Sequence, residues 1–266
     1  IQLLNYIVID LKLKSHIIFL KSYFLLSQGD FILNFLYNTI HLLNKPINDT
    51  IKDKLNNILD LMIQHHPYSS NLKLLTSSFT LLDHLHQAKK KSKKNTSTLV
   101  DLKKKKKIPH SPPKLKTIES IYFNYNAPFP LNIILDVKII SKYNLIFRHL
   151  LYIKYILNMM KLSFKNNDTF LKKSFILRRG LLFFLDNYFY HCTIEVIEPH
   201  FHSFLKKKID NIHTLYTTHN QTLNTILKEC LLIHNETLLN IIYKICHITV
   251  DFISNVEIYA QSKEKI

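Results

Sequence analysis

Only two glycines, Gly29 and Gly180, occur in this chain of 266 residues. Glycine alone enters φ > 0 without steric cost, so tight hairpins and phosphate-cradling loops depend on it. Neither a G-x-G-x-x-G turn nor a G-x-x-x-x-G-K-[ST] loop can be written with glycines 151 positions apart. The same scarcity disfavours an all-β chain, and the reading is an all-α, antiparallel helical bundle. Apolar residues make up 47% of the sequence, enough for a sizeable core. The sequence begins at Ile1 rather than Met, which reads as a fragment or a processed product.

Hydrophobic periodicity divides the chain into two blocks. In the first, His16 to Leu26 reads as a helix; Gly29 is expected to end it and Asp30 to cap the next. That next helix, Phe31 to Leu43, carries an Ile32, Phe35, Leu36, Thr39, Leu43 face and stops at Lys45-Pro46. Thr50 and Asp53 resemble a capping box ahead of Ile51, Leu55, Ile58 and Met62. In the second block, Ile121 to Tyr125 alternates like a short extended segment. Four seams follow at heptad-like spacing. They run from Ile139 to Met160, from Leu182 through Cys192 to Val196, from Leu215 through Cys230 to Ile233, and from Leu238 to Val256. Breaks are expected at Asn166–Asp168 and at His234-Asn235. The domain division is 1–88, a helical segment leading into and starting the domain; 89–117, a flexible lysine-rich linker; 118–256, the bundle; and 257–266, a tail.

Charge is concentrated rather than spread. The formal net charge is +17, yet residues 89–116 hold twelve lysines and one acid, leaving only +6 for the rest. Like-charge repulsion and three prolines keep that stretch from packing, so it is expected to be disordered. Thirty-three lysines against three arginines point to a compositional bias, which lowers the weight of lysine as a signal. Arg148, Arg178 and Arg179 stand out for the same reason. Three cysteines without a C-x-x-C fit a reducing compartment. Charged residues break the apolar stretches before about 18 residues, so no transmembrane helix is expected. Ile1 to Leu11 is apolar but has no cationic region before it and no small-residue cleavage site after it, so a signal peptide is not expected either.

No catalytic constellation converges. His65-His66, His84-x-His86 and His200-x-His202 lack partnering ligands at metal spacing. Glu195 and Glu198 share a helix face, with Glu195 close to the buried stripe, and read as polar contacts beside Pro199. Cys192 reads as a small buried hydrophobe. The aromatic run Phe183, Phe184, Tyr188, Phe189, Tyr190 covers more than one helix face, and the surplus suggests a partner surface or a second packing layer.

Five segments go further. Tyr23-Phe24-Leu25-Leu26-Ser27-Gln28-Gly29-Asp30-Phe31 resembles the Y-F-L-L-x-Q-G-D-F segment of the gamma-tubulin complex components. Phe123-x-Tyr125-x-x-Pro128-Phe129-Pro130-Leu131 is similar to the F-x-Y-x-x-x-W-P-L entry to that family's C-terminal domain. Lys142-Tyr143-Asn144-Leu145-Ile146-Phe147-Arg148-His149 resembles its K/R-Y-x-x-L/I-F-R-H segment, and Glu195-Val196-Ile197-Glu198-Pro199-x-Phe201-His202 its E-V-x-E-P-x-W-H segment. Lys228-Glu229-Cys230-Leu231-Leu232, followed by Glu236-Thr237-Leu238-Leu239, is similar to K-D-C-M-L…P-E-L-L. The five lie in order across residues 16 to 256, and the F-R-H and E-P-x-W-H forms are most like component 2. Phe129 and Phe201 stand where the family carries Trp.

The resemblance implies a non-catalytic scaffold that holds gamma-tubulin on an α-helical C-terminal domain and supports microtubule nucleation at the spindle pole or another microtubule-organising centre. Its partners would be gamma-tubulin and other gamma-tubulin complex components, with no cofactor, small-molecule substrate or membrane. Arg148 and His149, and Glu195, Glu198 and His202, are the candidate partner contacts. The alternative reading is a helical nucleic-acid-associated protein using the lysine-rich segment.

Overall fold

The computed structural model describes residues 6, 11–45, 48–64, 117–123, 125, 127, 129–163, 172–207 and 211–263. Residues 89–116 of the expected linker, His65-His66, His84, His86 and the Asn166–Asp168 break lie outside them; the linker's last expected residue, Thr117, is instead buried at the start of a helix. All regular structure among the described residues is helical. The principal elements are α1 (Leu13–Phe24), α2 (Gly29–Leu43), α3 (Asp49–Gln64), α4 (Thr117–Ser120), α5 (Val137–Leu162), α6 (Lys172–Tyr190), α7 (Glu198–Lys206), α8 (Ile212–Glu229) and α9 (Glu236–Lys263). A π-helical stretch, His191–Ile197, joins α6 to α7.

Helix α5 is the axis of the fold; α1, α2, α4, α6, α8 and α9 all pack against it. The expected seam Ile139, Tyr143, Ile146, Leu150, Ile153, Leu157, Met160 is buried throughout. So are Ile140, Phe147, His149, Leu151, Tyr155 and Ile156, which lie on other sides of the same helix. A helix apolar around most of its circumference belongs in the interior. Asp136 caps it by accepting from Ile139 N at 2.8 Å, and its second oxygen accepts from the Tyr216 hydroxyl of α8 at 3.2 Å.

The first block joins the same core. Ile32, Phe35, Leu36, Thr39 and Leu43 of α2 are all buried, as their spacing predicts. Phe24 of α1 packs edge-on against Phe123, Tyr143 and Phe147. Between the blocks, Ile121, Phe123 and Tyr125 point inward alternately, as expected, but form no strand. Instead Asn144 of α5 supplies the missing ladder: its Oδ1 accepts from Phe123 N at 2.9 Å and its Nδ2 donates to Phe123 O at 2.7 Å.

Several local expectations are corrected. Gly29 does not end α1; it lies in the first turn of α2, and the left-handed residue of the turn is Leu26 at φ 56°. Neither glycine has positive φ, whereas Lys12, Leu26, Leu231 and His234 do. Each is a conformation that costs a non-glycine residue about 1–2 kcal/mol; of the four only Leu26 is buried. Leu231 and Leu232 end α8 by donating to the carbonyls of Lys228 and Leu227, the Schellman pattern. Thr50 is no N-cap, since α3 starts at Asp49, and its buried line runs Ile51, Leu55, Leu59 with Ile58 only half-buried. Leu238, expected at the head of the last seam, is 48% exposed; the buried line of α9 is Ile242, Cys246, Thr249, Ile253, Val256. By length and composition α9 is long and apolar enough over Glu236–Ile258 to cross a membrane, contrary to the sequence expectation. That buried line against α5 gives it the role of a bundle helix.

Two variants test these assignments. Asn144→Ala leaves the Phe123 N–H and C=O unpaired in a part-buried site, and it should cost about 2 kcal/mol in urea denaturation. Gly180→Ala sits in an exposed helix interior with nothing within 4 Å of the added Cβ, and it should raise stability by about 0.5–1 kcal/mol. A loss in the second case contradicts the helical placement of Gly180.

Candidate partner-binding site

Pro199 shapes the first candidate stretch. It has no N–H for the carbonyl four residues back, and its ring crowds that carbonyl. The chain responds by widening into the π stretch His191–Ile197 immediately before it. Thr193 Oγ1 donates to the Phe189 carbonyl at 2.8 Å at the entry to this stretch. Cys192, Val196 and Ile197 still face the core. Glu195, expected near the buried stripe, is turned to the surface, where it meets His191 Nδ1 at 2.6 Å. The extra residue per turn moves it off the line that α-helical spacing draws.

Glu198 reaches back to the start of the fold, where Lys21 Nζ of α1 donates to its Oε2 at 2.6 Å. Phe201, in the place of the family's Trp, is fully buried against Tyr143. His202 is exposed. His200, on another face of α7, contacts Glu229 Oε2 of α8 at 2.7 Å. The aromatic surplus of α6 is real: Phe183 is 72% exposed, and Phe184, Tyr190 and Ile194 accompany it at the surface. Apolar patches of this kind, rimmed by polar residues, are what partner surfaces present.

Arg148 and His149 occupy a different region, the side of α5 facing α9. Arg148 is half-buried and lines a cleft of about 300 Å³ with Leu145, Tyr152, Leu232, Tyr243 and His247. His149 lies beneath it, 3% exposed, and both ring nitrogens are engaged. Nε2 meets the Tyr188 hydroxyl of α6 at 2.9 Å, and Nδ1 the Tyr243 hydroxyl of α9 at 3.2 Å. The Tyr188 hydroxyl in turn donates to the Cys230 carbonyl at the end of α8 at 3.1 Å. His149 therefore ties α5, α6, α8 and α9 together rather than offering itself to a partner. Burial lowers its pKa to about 4, so the ring is neutral. His219 is a second buried imidazole. It bonds the Tyr143 hydroxyl at 2.9 Å, is stacked on Phe204, and is likewise lowered to about 4, first by burial and then by Lys142. Sequence reasoning placed His219 in a seam and missed this bond; its pairing with Tyr143 spans 76 positions and leaves no local signal.

Residues 13–265 match the family model "Gamma tubulin complex component C-terminal". The chain is 28% identical to gamma-tubulin complex component 2 of Mus musculus, over 98% of this chain and 30% of the relative. It is 26% identical to the component 2 homolog of Drosophila melanogaster, over 99% and 32%. Spindle pole body component alp4 of Schizosaccharomyces pombe is 26% identical, over 94% and 38%. The chain thus spans about a third of the length of these relatives.

The buried imidazoles set a pH dependence. Unfolded, each titrates near 6.5; folded, near 4. Between those values the unfolded chain binds protons that the folded chain does not. Stability is therefore full above about pH 6.5 and falls as pH drops toward 4, by on the order of 3 kcal/mol per ring. In urea denaturation from pH 7.5 to 4.5, His149→Gln should flatten this fall relative to the parent chain; identical slopes contradict the buried neutral assignment.

Proposed function

The chain belongs to the gamma-tubulin complex component family, and from that premise we propose that it is a non-catalytic scaffold that binds gamma-tubulin and supports microtubule nucleation at the spindle pole or another microtubule-organising centre. The observation that carries this reading is the family match over residues 13–265, which coincides with one continuous core. The relatives' names supply the setting: gamma-tubulin complex components, and a spindle pole body component in fission yeast. Localisation to the cytoplasmic cytoskeleton follows from the same reading, as do other complex components as further partners.

The physics of nucleation supports a scaffold. Early tubulin contacts fix orientation before enough area is buried, so pre-placing subunits removes an entropic cost. No bond-making is required of the chain. Within the division given above, residues 1–88 start the domain and 118–256 carry the binding surface. The contact surface we propose runs along the outer face of α6, the π stretch and α7. Phe183, Tyr190 and Ile194 are its apolar centre, and Glu195, Glu198 and His202 its polar rim. Arg148 faces the separate α5–α9 cleft, and His149 acts from below by holding Tyr188 and Tyr243.

Purified gamma-tubulin should be retained by the full chain in a pull-down. Phe183→Asp with Tyr190→Asp should weaken retention at least tenfold while circular dichroism stays helical, since apolar anchors carry most of an interface's energy. A folded parent chain that retains no gamma-tubulin contradicts the proposal. The nucleic-acid alternative separates cleanly: removing residues 89–116 should leave gamma-tubulin binding unchanged and abolish any nucleic-acid binding.

A further inference from the structure

We infer that Cys192 and Cys230 form a modification site: a hydroperoxide oxidises the two thiols to a disulfide that links the π stretch to the end of α8. The inference does not depend on gamma-tubulin binding.

The fold brings these cysteines together from separate elements. Cys192 lies in the π stretch, Cys230 closes α8, and the two elements pack directly against each other. Tyr188 marks where they meet. It lies one turn before Cys192, and its hydroxyl donates to the Cys230 carbonyl at 3.1 Å. Both cysteines are fully buried, so neither thiol turns to solvent. Each thiol acts directly on the other. The Cys230 S–H lowers the Cys192 thiol from its ordinary value and the Tyr188 hydroxyl adds to this, while burial pushes the other way. Cys230 is raised, first by the same contact and then by burial. The proton of the pair therefore rests on Cys230, and Cys192 is the sulfur with thiolate character.

Thiol oxidation uses that asymmetry, because the thiolate is the nucleophile and its neighbour resolves the product. The Cys192 sulfur attacks the terminal oxygen of the hydroperoxide. The O–O bond breaks, the departing oxygen takes the Cys192 proton and leaves as water or an alcohol, and Cys192 becomes a sulfenic acid. The Cys230 sulfur then attacks the Cys192 sulfur. The S–O bond breaks, and its hydroxyl leaves with the Cys230 proton as water. The pair loses two electrons and the hydroperoxide gains them. A bond of this kind, in a chain whose cysteines suit a reducing compartment, is transient and redox-sensing. Cys246 is a control within the same chain. It is equally buried, and burial pushes its thiol up to about 12. Selectivity over Cys246 reports the pairing rather than access.

The test exposes the full chain to hydrogen peroxide without denaturant. The sample is quenched in acid, alkylated with N-ethylmaleimide in urea, and mapped by mass spectrometry without reduction. The Cys192 and Cys230 peptides should appear joined, lighter by two hydrogen atoms than the separate pair, with Cys246 alkylated. Dithiothreitol should restore both thiols. Cys230→Ser keeps a donor hydroxyl beside Cys192, and dimedone should then trap Cys192 about tenfold more than Cys246. The mapping of the parent chain stands even where this variant fails to fold. A chain that keeps all three thiols free overturns the inference, and so does a link to Cys246 or links formed only between two copies. Equal trapping of Cys192 and Cys246 in the folded variant overturns it as well.

Discussion

Everything in this fold leans on the burial of α5. A 26-residue helix with thirteen buried side chains must find neighbours on nearly every side. It finds them both before and after itself in sequence, from Phe24 of α1 to Cys246 of α9. Burial on that scale also demands that each polar group carried inward be paired, because an unpaired one costs more than a hydrogen bond returns. Asn144, Tyr143 and His149 sit within seven residues of one another, and each pairs with a different element. Asn144 takes the extended segment at Phe123, Tyr143 takes His219 of α8, and His149 takes tyrosines from α6 and α9. The polar residues of α5 thus specify where its neighbours lie, while its apolar residues supply the drive.

The family motif that contains these residues acquires a physical meaning from this. Tyr143, Asn144, Phe147 and His149 face inward or tie neighbouring elements, whereas Arg148 reaches the cleft. Likewise the segment from Glu195 to His202 mixes roles. Phe201 fills the core, Glu198 anchors α1 through Lys21, and Glu195 and His202 are left at the surface. These motif-like segments are here mainly packing instructions, with a few of their side chains left over for contact.

The helical class was legible because apolar spacing is a local property, and the seams of α2, α5 and α8 appear in the structure where the spacing puts them. What was not legible depended on non-local or steric facts. The spacing put Glu195 close to the buried stripe, but the effect of Pro199 runs backward into the π stretch and turns Glu195 to the surface. The turn after α1 was assigned to Gly29 on conformational preference, yet tertiary packing places Leu26 in the left-handed position instead. Leu238 fits a heptad but is 48% exposed, off the buried line of α9. Of the candidate contacts, His149 was chosen with Arg148 as one stretch; adjacent helical residues face about 100° apart, so one lines the cleft and the other lies inside.

Native-state hydrogen exchange tests the central claim most directly: that both sequence blocks are held as one cooperative unit around α5. The account predicts that interior amides of α2, α5 and α8 exchange with the same free energy, equal to that of global unfolding. Exchange of α2 at a distinctly lower free energy than α5 and α8 would show that the first block folds apart from the second, and would contradict it.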